Sequence, residues 1–199
     1  MKVLVIGASG TVGKAVVTEL AKRHEIIAAS RSSATHPVDV MQPASIEALF
    51  QKIGKVDAIV AATGDLHFGP LTEMTGEQFR VGLNSKLMGQ VELTLIGQKY
   101  LHDGGSITLT SGIVGEQPIR LGANATAVNK AVEGFALGAA IELPRGIRIN
   151  VVNASVLQES MPAYGPYFVG FEPVPAARVA LAYARSVDGA QTGQVYRVW

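Results

Sequence analysis

Short apolar, β-branched runs alternate with longer runs of helical spacing along the whole chain. "KVLVI" (2–6) has no polar alternation, the pattern of a strand buried on both faces. "TVGKAVVTELAKR" (11–23) places Val12, Val16 and Leu20 on one face, which predicts a helix. "EIIAAS" (25–30) reads as a second strand and "PVDV" (37–40) as a short third. "PASIEALFQKI" (43–53) opens with Pro and repeats apolar residues at 46, 49, 50 and 53, a helix with a conventional N-terminus. "DAIVAATG" (57–64) is a fourth strand ending in a turn. Residues 86–101 predict a helix, 106–111 a strand, 124–143 a long helix stopped by Pro144, and 147–154 a strand. A helix over 175–187 and a strand over 193–199 close the chain. Seven strands with intervening helices imply an α/β fold, a doubly wound parallel sheet with helices on both faces. The least regular stretch is 155–175, where Gly and Pro are scattered among aromatics. A long loop leaving a strand's carboxyl end tends to shape a site, here a partly apolar pocket under a lid.

Bulk properties narrow the function. At 199 residues, the chain suits one domain spanning 1–199, with no linker, repeat or low-complexity tract. A net charge of +1 offers no electrostatic case for nucleic acid or an anionic membrane. No apolar stretch approaches the length of a membrane span. The apolar run at the N-terminus stops at Gly7 and does not read as a signal peptide. Cysteine is absent, which excludes disulfides and thiolate metal sites and fits a reducing compartment. A cytoplasmic protein is expected. No His/Asp/Glu cluster has metal-ligand spacing.

The first chemical signal is "VIGASGTVGKAV", which sets Gly7, Gly10 and Gly13 between the first strand and the first helix. Phosphates need close backbone approach, free N–H groups and a positive helix end. The spacing is G-x-x-G-x-x-G rather than G-x-G-x-x-G. A nucleoside-triphosphate loop is excluded, because Ala8 and Ala15 stand where that motif requires Gly and Ser or Thr. The second signal is "AASRSS" at the end of strand two, with no carboxylate and with Arg31 flanked by Ser30, Ser32 and Ser33. A carboxylate there would suit the NAD ribose, whereas Arg suits a 2′-phosphate. The cofactor expected is therefore NADP(H), with NAD(H) less favoured.

With these features the chain resembles the short-chain dehydrogenase/reductase family over nearly its whole length. The matches, in the family's order, are "GASGTVG", "ASR", "VDV", "AATG", "LTSGIVG", "NKAVEGF", "RINVVNAS" and "TGQVYRV". The resemblance implies a single-domain Rossmann fold, usually dimeric or tetrameric. It implies that Gly7, Ser9, Gly10, Thr11, Val12 and Gly13 hold the pyrophosphate, and that Arg31 and Ser32 take the 2′-phosphate. It places Asp39 and Val40 beside the adenine, and Ala61, Ala62, Thr63 and Gly64 beneath the adenosine ribose. The segment from Asn153 to Leu157, with Val156, approaches the nicotinamide. Ser111 looks like the catalytic serine and Lys130 like the ribose-binding lysine. The departures concern the chemistry. "AATG" replaces the usual "NNAG", "AS" (Ala154, Ser155) replaces "PG", and the active-site Asn corresponds to Lys86, with Asn84 close by. Four residues before Lys130 the catalytic Tyr is replaced by Thr126.

Hydride delivery to a carbonyl builds charge on oxygen, so a positioned acid must supply a proton. An aliphatic hydroxyl is a far weaker acid than a phenol. Three readings remain open. The first is a specialised NADP-dependent reductase in which Ser111 and Thr126 orient substrate. Its proton would come from water or from Tyr164, Tyr167, Lys86 or His67. The second is a reductase of a quinone or activated alkene that needs little acid help. The third is a catalytically inactive NADP(H) sensor or partner subunit. Gly134 and Gly138 among alanines on the helix 124–143 suit close helix approach, so a homodimer or homotetramer is expected.

Overall fold

The computed structural model describes residues 1–199. Six parallel strands form one sheet: β1 (Lys2–Ile6), β2 (Glu25–Ala29), β3 (Val56–Ala61), β4 (Leu101–Thr110), β5 (Arg148–Ala154) and β6 (Val195–Val198). Their spatial order is β2-β1-β3-β4-β5-β6. The chain therefore starts inside the sheet and winds outward both ways, with the switch of direction between β1 and β3. Ligands of open α/β sheets bind at the carboxyl ends beside such a switch.

Alternation along each strand sorts the core. Leu4 and Ile6 face α2 (Pro43–Ile53), α4 (Gly89–Gly97) and α5 (Ala123–Ala139), where Phe50, Leu93 and Val132 meet them. Val3 and Val5 face α1 (Thr11–Leu20) and α7 (Ala176–Asp188), which contribute Val16, Leu20, Val179 and Tyr183. Both faces are covered, which is why the strands read as unbroken apolar runs. Between β3 and β4, α3 (Gly76–Gly82) is continuous with a π-helical segment, Leu83–Met88, and with α4. A capping box, Thr75 with Gln78, starts α3. A short α6 (Met161–Tyr164) lies in the irregular stretch after β5.

The expected architecture holds, with six strands rather than seven. "PVDV" forms only an isolated bridge between Ser30 and Pro37. Pro37 has no N–H to give to a ladder, and the Asp39 N–H bonds the Ser45 hydroxyl at 3.0 Å. The helix expected from residue 86 begins ten residues earlier, at Gly76. Its N-terminal part is short and lacks a sustained apolar stripe, so spacing alone does not reveal it.

Candidate functional site

Two cavities, each of about 350 Å³, open along the carboxyl ends of the strands. The first lies over the glycine turn and is walled by Gly7, Ser9, Gly10, Arg31, Asp39 and Ala62, among others. The second is mainly apolar, with Leu66, Phe68, Ile113, Val114, Val156 and Phe168 in its wall. Val12, Gly64, Asp65, Lys86 and Thr110 line both, so the two form one bent cleft.

The glycine turn is built for close backbone approach. Gly7 adopts φ +80°, and a Cβ there would sit 2.2 Å from the Ala62 carbonyl oxygen. A Cβ on Gly13 would lie 2.0 Å from the Gly7 oxygen. Gly13 thus lets α1 pack onto the turn and does not itself face the cavity. The N-terminus of α1 carries no side-chain cap and no acidic residue in its first turn. Its first N–H groups have no intrahelical partner. This cradle fits an anionic diphosphate, whose charge suits the helix end.

Across the cavity, Arg31 is largely exposed and reaches Asp65 at 3.5 Å. Asp65 also receives the Ser85 hydroxyl at 3.3 Å, and its N–H donates to the same oxygen at 2.9 Å. Val40, Thr63 and Gly64 line the cavity as well. Thr11, Ser32 and Ala61 do not; Ala61 is buried in the sheet, where its carbonyl accepts from Thr110.

The second cavity contains Ser111 and Val156 from the residues expected at the site. Ser111 is buried, and its hydroxyl donates to Glu133 Oε1 at 2.9 Å. The same oxygen accepts from Asn153 Nδ2 at 2.7 Å, and Lys130 Nζ reaches Oε2 at 3.0 Å. Glu133 is therefore a buried carboxylate held by three donors, a site residue that no motif in the sequence marks.

Thr126 and Lys130 are not brought into the cleft with Ser111, as the sequence reading expected. Lys130 is exposed and pairs along its own helix with Glu133. Thr126 lines a separate hollow with Gly69, Leu71 and Ile119, and its hydroxyl oxygen is buried without a partner. The physical reason is helix rotation. Ala125, Val128, Val132 and Ala136 form the inward stripe of α5, and residues 126 and 130 fall about 100° from 125 and 129. The α5 residue that enters the cavity is Asn129. It is buried, its Nδ2 donates to the Ala125 carbonyl at 2.8 Å, and its Oδ1 has no donor. The apolar stripe was the signal that could have found it.

Of the alternative proton sources, Lys86 and Tyr164 line the cavity, whereas His67 and Tyr167 do not. Asn84, the neighbour considered beside Lys86, also lies outside the lining. Burial pushes the Lys86 ammonium down to about 8. Tyr183, also in the wall, bonds Thr110 Oγ1 at 2.6 Å, and burial pushes its phenol up, away from acid service.

Comparison with known proteins places these features in a family. Residues 7–193 match the family profile described as enoyl-(acyl carrier protein) reductase. A tetrahydroxynaphthalene reductase of Pestalotiopsis fici is 29% identical over 71% of this chain, which spans 60% of that reductase's length. The crystal structure of the protein lin1944 from Listeria innocua is 53% identical, with a TM-score of 0.98 over 100% of both chains. A small-chain dehydrogenase solved in complex with NADPH shares the fold, with 23% identity and a TM-score of 0.88 over 100% of this chain and 96% of that one. No helix is long and apolar enough to cross a membrane. The glycine turn, the sheet order and the family match agree: the chain belongs to the short-chain dehydrogenase/reductase family of oxidoreductases.

Proposed function

We propose that this chain is an NADP(H)-dependent reductase of a small carbonyl, quinone or activated alkene, working without a phenol on α5. The observation that carries the reading is the bent cleft, with a phosphate cradle at one end, an apolar chamber at the other and a shared wall between them. The diphosphate would rest on Gly7, Ser9, Gly10 and Val12, and Arg31 would leave Asp65 for a 2′-phosphate. Asp39 and Val40 would flank the adenine. When bound, the dihydronicotinamide supplies a hydride at the junction. Val156 and Ser155 would lie against its ring, and the apolar wall would hold the substrate and exclude water. The hydroxynaphthalene substrate in the Pestalotiopsis relative's name favours an aromatic, quinone-like carbonyl.

A specific observation favours a second reading, a nucleotide-binding sensor or partner subunit: the Ser111 proton is committed to Glu133. We further propose that residues 1–199 act as one domain and form a homodimer or homotetramer through α4 and α5. There Gly134 and Gly138 face open space, and Leu95 and Leu137 are exposed.

Calorimetric titration with NADPH and then NADH tests the reading. NADPH is expected to bind, and Arg31→Ala should weaken it by about tenfold or more, the loss of one charge-assisted contact. NADH affinity should stay unchanged by that substitution. If neither nucleotide binds at millimolar concentration, both readings fall.

A further inference from the structure

The cleft has an ionisable pair at its bend, Asp65 and Lys86, and they are not equivalent. Asp65 is engaged by Arg31 and Ser85. The Lys86 side chain has no partner in the chain, and burial alone acts on it. Its nitrogen is nonetheless absent from the sealed, unpartnered polar atoms, so its open side is the cleft.

The fold holds this side chain firmly. Its stem lies on Gly64, where a Cβ would come within 2.6 Å of Lys86 Cα, Cβ and Cγ. The Gln90 amide, wholly buried, donates to the Lys86 carbonyl at 3.0 Å and to the Thr110 carbonyl at 3.0 Å. Gln90 Oε1 accepts the Thr110 N–H at 2.7 Å. Lys86 is thereby clamped to the end of β4, next to Ser111. Asn129 also lines this chamber, but its Oδ1 is sealed and out of reach of a ligand. Lys86 Nζ is thus a donor without an acceptor at the edge of a mainly apolar chamber, suited to an oxygen acceptor such as a carbonyl.

We infer that Lys86 is the proton donor of the reduction and that the substrate is a carbonyl on a mainly apolar frame, leaving as an alcohol. This inference rests on the reductase reading above. The carbonyl carbon gains a hydride from the dihydronicotinamide, which is oxidised by two electrons. The C=O π pair moves to oxygen, and that oxygen takes a proton from Lys86 Nζ. The neutral amine regains a proton from water.

Three local features support the assignment over its rivals. Ser111 gives its proton to Glu133, so it faces the chamber as an acceptor. Tyr183 donates or accepts within its bond to Thr110. Tyr164 is 44% exposed on the short α6, against Phe68. A lysine held near 8 is protonated at neutrality and yet acidic enough to give its proton up. The charged or titratable groups that share the cleft walls with it are Asp65, Arg31 and Asp39 from the loops, Tyr164 from α6 and Tyr183 from α7. Glu133 of α5 lies behind Ser111.

The test uses the full chain, NADPH and 1-tetralone as an aryl ketone probe. Lys86→Met should keep NADPH affinity within about threefold by calorimetry while single-turnover reduction falls by about 10²–10⁴-fold. Wild-type turnover should decline as pH rises through about 8, and the variant should lose that limb. Lys86→Arg restores charge but not an acid of useful strength, so it should stay slow. A Lys86→Arg rate near wild type overturns proton donation, as does an unaffected Lys86→Met. NMR titration of the lysine Cε signals in the nucleotide-free protein, with Lys86 assigned by its loss in Lys86→Met, gives a readout independent of substrate. A midpoint far below the other lysines is expected, and an ordinary lysine midpoint overturns the inference. Should wild type fail to bind NADPH, the reductase reading itself is lost and the inference goes with it.

Discussion

The two ends of the cleft are built by different means. The cofactor end is made of backbone: glycines, an uncapped helix N-terminus and strand ends. The substrate end is made of side chains aimed from the π-helical segment, α5, α7 and the stretch after β5. Backbone sites follow from residue types that tolerate no substitute, whereas side-chain sites follow from the rotation of helices. The two lysines show the contrast at residue scale. Lys130, expected at the site, is exposed and paired with Glu133, while Lys86 is buried, without a partner and part of the cleft wall.

The largest effect that would break the comparison is at the glycine turn. Gly13→Ala places a Cβ 2.0 Å from the Gly7 oxygen, so the backbone must move. It should cost about 3 kcal/mol, the upper end for overpacking, and abolish NADPH binding, since contact with backbone leaves no side chain to give way. Urea unfolding and calorimetry read both. A variant with near wild-type stability would show the turn to be softer than its geometry implies.

Next in size is the burden of Lys86 on the fold. Its native pKa of about 8 lies below the ordinary lysine value of 10.5. The unfolded chain holds that proton more tightly, so below pH 8 the ammonium destabilises the fold by about 3 kcal/mol. That penalty fades as pH rises from about 8 to 10.5. Lys86→Met should therefore raise stability at pH 7, with the gain gone near pH 11. Denaturant melts at several pH values check this, and a flat difference between the proteins would contradict it. A residue that burdens the fold in this way is commonly kept for function.

The smallest effect belongs to Lys130. Its side chain is exposed but the Glu133 carboxylate it meets is buried, so losing this bond should cost about 1.5–3 kcal/mol. Lys130→Ala should leave NADPH affinity within about threefold. A tenfold loss in calorimetry would return Lys130 to the cofactor site.

Much of the fold was legible because strand burial and helix stripes repeat many times over, so single misreadings do not change the sheet order. The "PVDV" strand failed at the level of hydrogen bonding, where Pro37 and the Asp39–Ser45 contact remove the ladder. At the proposed cofactor end, Gly7, Gly10, Arg31 and Gly64 stood out in the sequence and line one cavity in the structure, since few residue types can do what those positions require. Thr126 and Lys130 were expected beside Ser111, whereas the α5 residue that lines the chamber is Asn129. Neighbouring positions of a helix point about 100° apart, and local spacing did not say which of them turns inward. Glu133 was invisible because nothing local marks a glutamate as buried; its donors Ser111 and Asn153 are 22 and 20 residues away.

The π-helical segment Leu83–Met88 has a consequence for how this protein can change. At its end the Gly89 N–H bonds the Asn84 carbonyl, a span one residue wider than an α-helical bond. The direction of Lys86 is therefore encoded by how many residues the segment contains, as well as by which ones. Point substitutions leave that number intact. Removing one residue would let the helix heal into a regular α form and swing the preceding positions by about 100°. Such a deletion could strengthen the helix and still empty the bend of its amine, an alteration to which a scan of single replacements is blind.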